Sequence, residues 1–248
     1  MFKYRILLFL MIGLLSSCIS TKQHIADTDI TYVRANEDVN VGSKAIDDMI
    51  SPYRDQMEDE MNIELGEMPV TLKKGKLNSS MGNWFCDALL VMSNKYSDKP
   101  VDFALQNYGG LRIPSISKGI VTKRHIFELM PFDNKLVVLE IDGKTVQMMA
   151  DNMADHGGAP VSLGLSFTIE EDKAIDVMVN GKPIKSNSTY RVGLPDYVAN
   201  GGDDSWFLKE IPQFDTGVYI REVMIEYLMD LKAAGKPITV DKTKRITS

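Results

Sequence analysis

The sequence predicts an α+β domain with a mixed, largely antiparallel sheet, flanking helices and a leading linker helix, and three observations carry that reading. Apolar residues recur at three- and four-residue steps in three long segments, about 79–96, 144–156 and 216–234. Between them lie short runs with strand character, at 101–106, 135–141, 162–170, 174–180 and 189–195. Several strands are joined by tight turns such as Asn180-Gly181, which favours hairpins over repeated strand-helix-strand crossovers.

Residues 42–72 are read as a linker helix followed by an extended segment. Ile46, Met49, Ile50, Tyr53 and Met57 mark one helix face, and Pro52 is expected to kink or break it. The acidic cluster Glu58-Asp59-Glu60 reads as a solvated face. The main domain is assigned to residues 73–248. Ser79 or Ser80 caps a helix to about Tyr96, with Trp84, Ala88, Leu89 and Met92 as its apolar stripe. The run Val101–Gln106 then ends directly in the Asn107 turn, at the carboxyl end of a strand, where pockets in α/β sheets lie. Thr122 caps a short helix through Met130, and residues 135–141 alternate into an Asp142-Gly143 turn. The helix 144–156 follows with Val146, Met149 and Met153 on one side, and the helix 216–234 is ended by Gly235 and Pro237.

The amino terminus sets a compartment. Lys3 and Arg5 precede an apolar run, Ile6–Leu15, that is too short to span a bilayer and has the layout of a secretory signal. Leu15-Ser16-Ser17-Cys18 resembles a lipobox, so residues 1–17 are expected to be cleaved and Cys18 acylated, with 18–41 as a tether. An uncleaved anchor, or an ordinary signal with a chance cysteine, is the alternative. Ile19 is compatible with an outer-membrane destination in a bacterial cell envelope. Cys86 is then the one remaining cysteine, which excludes an intramolecular disulfide and reads as a buried structural thiol. The formal net charge of −6 argues against a nucleic-acid polymer as partner.

Three patches carry the chemistry. In Asn107-Tyr108-Gly109-Gly110-Leu111-Arg112 the glycines let backbone approach a ligand, and the guanidinium can fork onto a phosphate or sugar oxygen. Met130-Pro131-Phe132 places an aromatic ring at a helix-to-strand junction. Tyr197-Val198-Ala199-Asn200-Gly201-Gly202-Asp203 exposes a loop whose carboxylate suits vicinal hydroxyls. Taken alone, Phe132 reads as core and the 197–203 stretch as a turn.

Taken together, and with Asn78-Ser79-Ser80-Met81-Gly82-Asn83 opening the first helix, these segments resemble the C-terminal domain of the 5'-nucleotidase and UDP-sugar hydrolase family. Its marks are Asn-x-Gly-Gly-x-Arg, Pro-Phe and aromatic-x-x-x-Gly-Gly-Asp. The resemblance implies that Phe132 and Tyr197 clamp a nucleobase and that Asp203 takes the ribose hydroxyls. It assigns Arg112 to the ribose and phosphate side, and Asn107 to the base or sugar edge. Lys73-Lys74-Gly75-Lys76 stands where the family carries a further arginine, and Asp133 and Asp204 replace usual glycines.

The resemblance also implies a two-metal phosphatase domain with Asp-x-His and Gly-Asn-His motifs, and the sequence has neither. His24, His125 and His156 are scattered and read as surface residues; Ser205 has no histidine base, and adjacent Asp203 and Asp204 point apart. No catalytic residue and no cofactor are therefore assigned to this chain. The expectation is a substrate-holding component for AMP-like or UDP-sugar-like ligands, with the divalent metal pair on a separate metallophosphatase. The alternative is a non-catalytic nucleoside- or nucleotide-binding surface lipoprotein.

Overall fold

The computed structural model describes residues 44–248, so the signal, Cys18 and the tether lie outside the described residues. The chain divides into two units at Met49/Ile50. Of the first, Lys44–Met49 are described; they begin helix α1 (Lys44–Met61) and carry a surface Lys44–Asp48 ion pair of 2.7 Å.

The second unit, Ile50–Ser248, holds the sheets. α1 continues through Pro52 without a break, because proline withdraws only one rung of the ladder while helix formers flank it. None of its residues is buried, and Ile50, Tyr53 and Met57 stand exposed. Its last turn is tied down by Glu58–Arg124 (2.6 Å) and Glu60–Lys123 ion pairs. Strands β1 (Glu64–Met68) and β2 (Leu72–Lys73) fall in the extended segment read from the sequence.

Helix α2 (Ser80–Tyr96) starts at Ser79, whose hydroxyl accepts from the Gly82 N–H at 3.0 Å. After it come β3 (Phe103–Ala104), β4 (Ser115–Ile116) and β5 (Gly119–Thr122), then α3 (Lys123–Leu129) with Thr122 as its cap. β6 (Lys135–Asp142) runs straight into α4 (Gly143–Asp155). Asp142 caps that helix through the Thr145 N–H at 2.8 Å, so the expected Asp142-Gly143 turn is a strand-to-helix junction. β7 (Leu165–Glu170), β8 (Lys173–Val179) and β9 (Lys182–Pro183) form a meander with Asn180-Gly181 as its second turn, both at positive φ. β10 (Thr189–Pro195), the short α5 (Asp196–Ala199), β11 (Gln213–Tyr219), α6 (Ile220–Ala233) and β12 (Ile246–Thr247) complete the chain.

Two four-stranded sheets organise these elements, β11-β6-β10-β3 and β12-β7-β8-β9. Among the described strands, β10–β3 and β12–β7 pair in parallel and the rest antiparallel, which makes the arrangement mixed and largely antiparallel as expected. β6 sends Leu136 to one core, with α2, α3 and α6, while Val137, Leu139 and Ile141 pack on the other side against α4, β7 and β8. The expected helix start at Thr216 is instead the end of β11. Thr216 and Val218 are β-branched, the Gly217 φ of +76° is outside the helical region, and Tyr219 pairs with Lys135 of β6. Cys86 is fully buried and burial pushes its thiol pKa up, which leaves it inert at neutral pH.

Candidate functional site

The site gathers where β3 and β10 end side by side. Beyond β3 the Leu105 N–H bonds the Gly193 carbonyl of β10 at 3.0 Å, and the Gln106 N–H bonds Pro160 at 3.1 Å. Those bonds deliver Asn107 to a single 3₁₀ turn, Tyr108–Gly110, closed by the Gly110 N–H on the Asn107 carbonyl. β10 likewise ends in Pro195 and the one-turn α5, which projects Tyr197 and leads into the 200–205 loop.

Three of the five sequence-assigned residues form one hydrogen-bonded chain. Tyr197 Oη donates to Asp203 Oδ1 at 2.9 Å, and Asn107 Nδ2 donates to Asp203 Oδ2 at 2.9 Å. The same carboxylate bond raises the Tyr197 phenol above its ordinary pKa. Asp203 sits at a φ of +49°, a left-handed conformation that asparagine and aspartate tolerate best, and its carbonyl is held by Asn152 Nδ2 at 3.0 Å. Gly202 is dictated by the tyrosine: a Cβ there would stand 2.4 Å from Tyr197 Cε1. Gly202→Ala is therefore expected to push the ring off the loop and break the Tyr197–Asp203 bond, readable as a shift in tyrosine ionisation by ultraviolet titration.

The other two residues meet each other. The Arg112 guanidinium lies 5.4 Å from the centre of the Phe132 ring, and its Nη1 donates to the Gly109 carbonyl at 3.3 Å. Phe132 is 39% exposed and Tyr197 45%, so neither is core, and neither ring is in contact with the other. The Phe132 segment is fixed from below: Arg221 of α6 donates to the Phe132 carbonyl at 3.3 Å and pairs with Asp133 at 2.9 Å. Asn134 Nδ2 reaches Asp196 at 3.0 Å, tying this segment to the start of α5.

A cavity of about 340 Å³ opens on the side of Asn107 and Asp203, floored by Leu105, Met149, Met153 and Val198. Phe132, Tyr197 and Arg112 are not among its walls. Sequence reasoning signalled the apolar face at Met149 and Met153 but did not place it beneath the Asn107 turn, which lies about 40 residues upstream. It also left Lys74 unresolved. Pairing of β2 with β4 and a Lys74 N–H bond to Pro114 bring its ammonium 3.9 Å over the Tyr108 ring. Burial, and then the Arg112 charge, hold the Lys74 pKa below its usual value.

The histidines have local work. His125 Nδ1 accepts from the Thr122 N–H at 3.1 Å in the α3 cap. His156 ends α4, with Nδ1 on the Asn152 carbonyl at 2.8 Å and Nε2 3.3 Å from Asp204. Among the described residues no group of three or more His, Cys, Asp or Glu is placed to hold a metal ion.

The α+β domain thus carries two exposed aromatic rings, a guanidinium and a pinned carboxylate on its loops. The family "5'-nucleotidase, C-terminal domain" matches residues 64–210, more than half the chain, and the protein belongs to it. A 5'-nucleotidase of Vibrio vulnificus (strain CMCP6) is 29% identical over 203 residues, covering 80% of this chain and 36% of the relative. Protein UshA of Escherichia coli (strain K12) is 25% identical over 190 residues, covering 73% and 33%. Among solved structures, a 5'-nucleotidase precursor from Thermus thermophilus superposes with a TM-score of 0.70 at 27% identity, covering 82% of this chain and 43% of that one. The chain thus spans about a third of the curated relatives it matches, and the metal-binding catalytic domain of the family is the other part.

Proposed function

We propose that this chain is the nucleotide-recognising component of a 5'-nucleotidase-type phosphoesterase, held by a lipid on Cys18 at the outer membrane of a bacterial envelope, and that a separate metallophosphatase supplies the metal pair. The observation that carries the reading is the Tyr197–Asp203–Asn107 chain beside the Arg112–Phe132 pair. It groups an exposed ring with a carboxylate and a second exposed ring with a cation. Phe132 and Tyr197 take the base, Asp203 the ribose hydroxyls, and Arg112 the phosphate side. Lys74, over the Tyr108 ring, adds a second positive charge at the Asn107–Arg112 turn, in the role of the family's further arginine.

In this reading the chain contributes orientation: it fixes the nucleotide so that its phosphate meets the partner's metals. Ile50, Tyr53 and Met57, exposed on α1, are the docking stripe for that partner.

Calorimetric titration of the full chain with AMP, adenosine and UDP-glucose in EDTA tests the binding half of this reading. Saturable binding of AMP without metal is expected, with no hydrolysis; absence of binding to any of the three removes it. Addition of a metallophosphatase then separates the component reading, in which turnover appears, from a binding lipoprotein with no catalytic partner, in which it does not. Lys74→Met is expected to weaken AMP about tenfold, ~1.4 kcal/mol, while leaving adenosine unchanged, since only the charged hydrogen bond is removed. Equal weakening of both ligands would assign Lys74 to the fold instead.

A further inference from the structure

We infer that the Tyr197 hydroxyl is a positioning group, which sets Asp203 to accept both hydroxyls of a cis-diol and so makes the site select ribosides over deoxyribosides. This rests on the nucleotide reading above and adds to it a sugar specificity built into one hydroxyl.

Tyr197→Phe would keep the same stacking face, so base stacking gives no reason for a phenol. The hydroxyl's hydrogen-bond partner is Asp203 Oδ1, at 2.9 Å. The ring that carries it has little freedom. Its edge lies against the backbone of Gly202, its carbonyl accepts from the Gly202 N–H at 2.9 Å, and its own N–H donates to Asp196 Oδ1 at 2.7 Å.

Asp203 is held from three directions. Asn152 fixes its carbonyl, Asn107 Nδ2 takes Oδ2, and Tyr197 Oη takes Oδ1. An ionised carboxylate has about four acceptor positions, two on each oxygen. One protein donor on each oxygen leaves one position on each. Two neighbouring acceptors in a fixed plane match two neighbouring O–H donors, which is the geometry of the 2'- and 3'-hydroxyls of a riboside. A sugar lacking one hydroxyl leaves a carboxylate oxygen without that donor, and sites built around such a bond discriminate against the ligand that lacks it.

Removing the phenol frees a third acceptor position, which water occupies without gain, and leaves an exposed side chain held by Asn107 alone. The plane of the carboxylate is then no longer set before the ligand arrives, and the lost pre-organisation appears as lost diol affinity. Because Asp203 also raises the phenol pKa, the hydroxyl remains a donor through mildly alkaline pH.

The test compares adenosine with 2',3'-dideoxyadenosine by titration calorimetry on the full chain in EDTA, for the wild type and Tyr197→Phe. Tyr197 is 45% exposed, so phenylalanine is accommodated, and equal melting temperatures verify this. The wild type is expected to prefer adenosine by on the order of tenfold or more, the scale of a charged hydrogen bond. In Tyr197→Phe the dideoxynucleoside should bind as before, while the preference shrinks by about threefold or more, a part of one such bond. An unchanged preference in Tyr197→Phe overturns the inference, as does equal weakening of both ligands, which would mean that the phenol serves only to place the ring. Equal binding of both ligands by the wild type overturns the inference and leaves base recognition standing. No nucleoside binding by the wild type overturns the nucleotide reading and this inference together.

Discussion

Joint replacement of Phe132 and Tyr197 by alanine is expected to lower the affinity for AMP by about 2–6 kcal/mol, taking each ring at the ~1–3 kcal/mol measured for base–aromatic stacking. The upper half of that range places binding beyond calorimetric detection. Both rings are more than a third exposed, so the variant should fold with little loss of stability. The two single changes are not equivalent. Phe132→Ala removes a ring and the surface on which Arg112 rests at 5.4 Å, so it should also weaken the phosphate end. Tyr197→Ala removes a ring and one donor to Asp203, so it should also weaken the sugar end. If the rings grip opposite faces of one base, the double variant should lose less than the sum of the singles, because either single change already leaves the base half-held. Losses that simply add would place the rings on separate parts of the ligand, and retention of wild-type affinity would discard the clamp.

Legibility in the sequence followed the range of the interaction. Helix α2, with its Ser79 cap and apolar stripe, and the Asn180-Gly181 turn are specified within a few residues, and both stand where local chemistry put them. The predicted helix from Thr216 overran because period alone does not separate an amphipathic helix from a strand leading into one. Pairing of β11 with β6 decided it. β4, β5 and β12 are two to four residues long and exist only through partners elsewhere in the chain, so no local pattern announces them. The site shows the same division. Glycines and charged residues at 107–112 and 197–203 signalled exposed loops, yet the bonds from residue 107 to 203, and the floor supplied by Met149 and Met153, are products of topology. Lys74 is the clearest case: its neighbour in sequence is a lysine, and its ammonium lies in space over the Tyr108 ring.

The carboxyl-terminal tail extends that point to a residue of large expected effect. Lys242-Thr243-Lys244-Arg245 is a run of three cations and a threonine, yet Arg245 is 2% exposed and its guanidinium is threaded into the molecule. Nη1 donates to the carbonyls of Val161 at 2.7 Å and Asn83 at 3.2 Å, and Nη2 pairs with Asp87 at 2.6 Å. Asn78 receives the backbone N–H groups of Arg245 and Ile246, and β12 then adds in parallel to β7. Arg245→Met fills much of the volume but leaves the buried Asn83 and Val161 carbonyls without that donor and takes the cation from Asp87, which keeps the Leu163 N–H and partial exposure. The expected loss is about 3 kcal/mol of folding stability, the lower end of the cost of breaking a buried pair from one side, because Asp87 is partly exposed. Urea unfolding should show it as a lower midpoint at unchanged slope. Arg245→Met with Asp87→Leu should recover only part of the loss, since it removes the unpaired charge but leaves the Asn83 and Val161 carbonyls without a donor. Asp241, whose pKa is lowered by the Thr243 backbone and hydroxyl and then by Arg245, adds a pH signature. A depressed carboxylate stabilises above its unfolded pKa, and the benefit is lost as pH falls through the folded value, so the wild type should weaken on acidification below the usual aspartate range. The tail also bears on the site. Val161 follows Ala159, which lines the cavity, and Pro160, whose carbonyl receives the Gln106 N–H, so Arg245 braces the loop that sets the Asn107 turn. Arg245→Met should therefore weaken nucleotide binding even well below its melting temperature; stability lost at unchanged affinity would show that the tail closes the core alone.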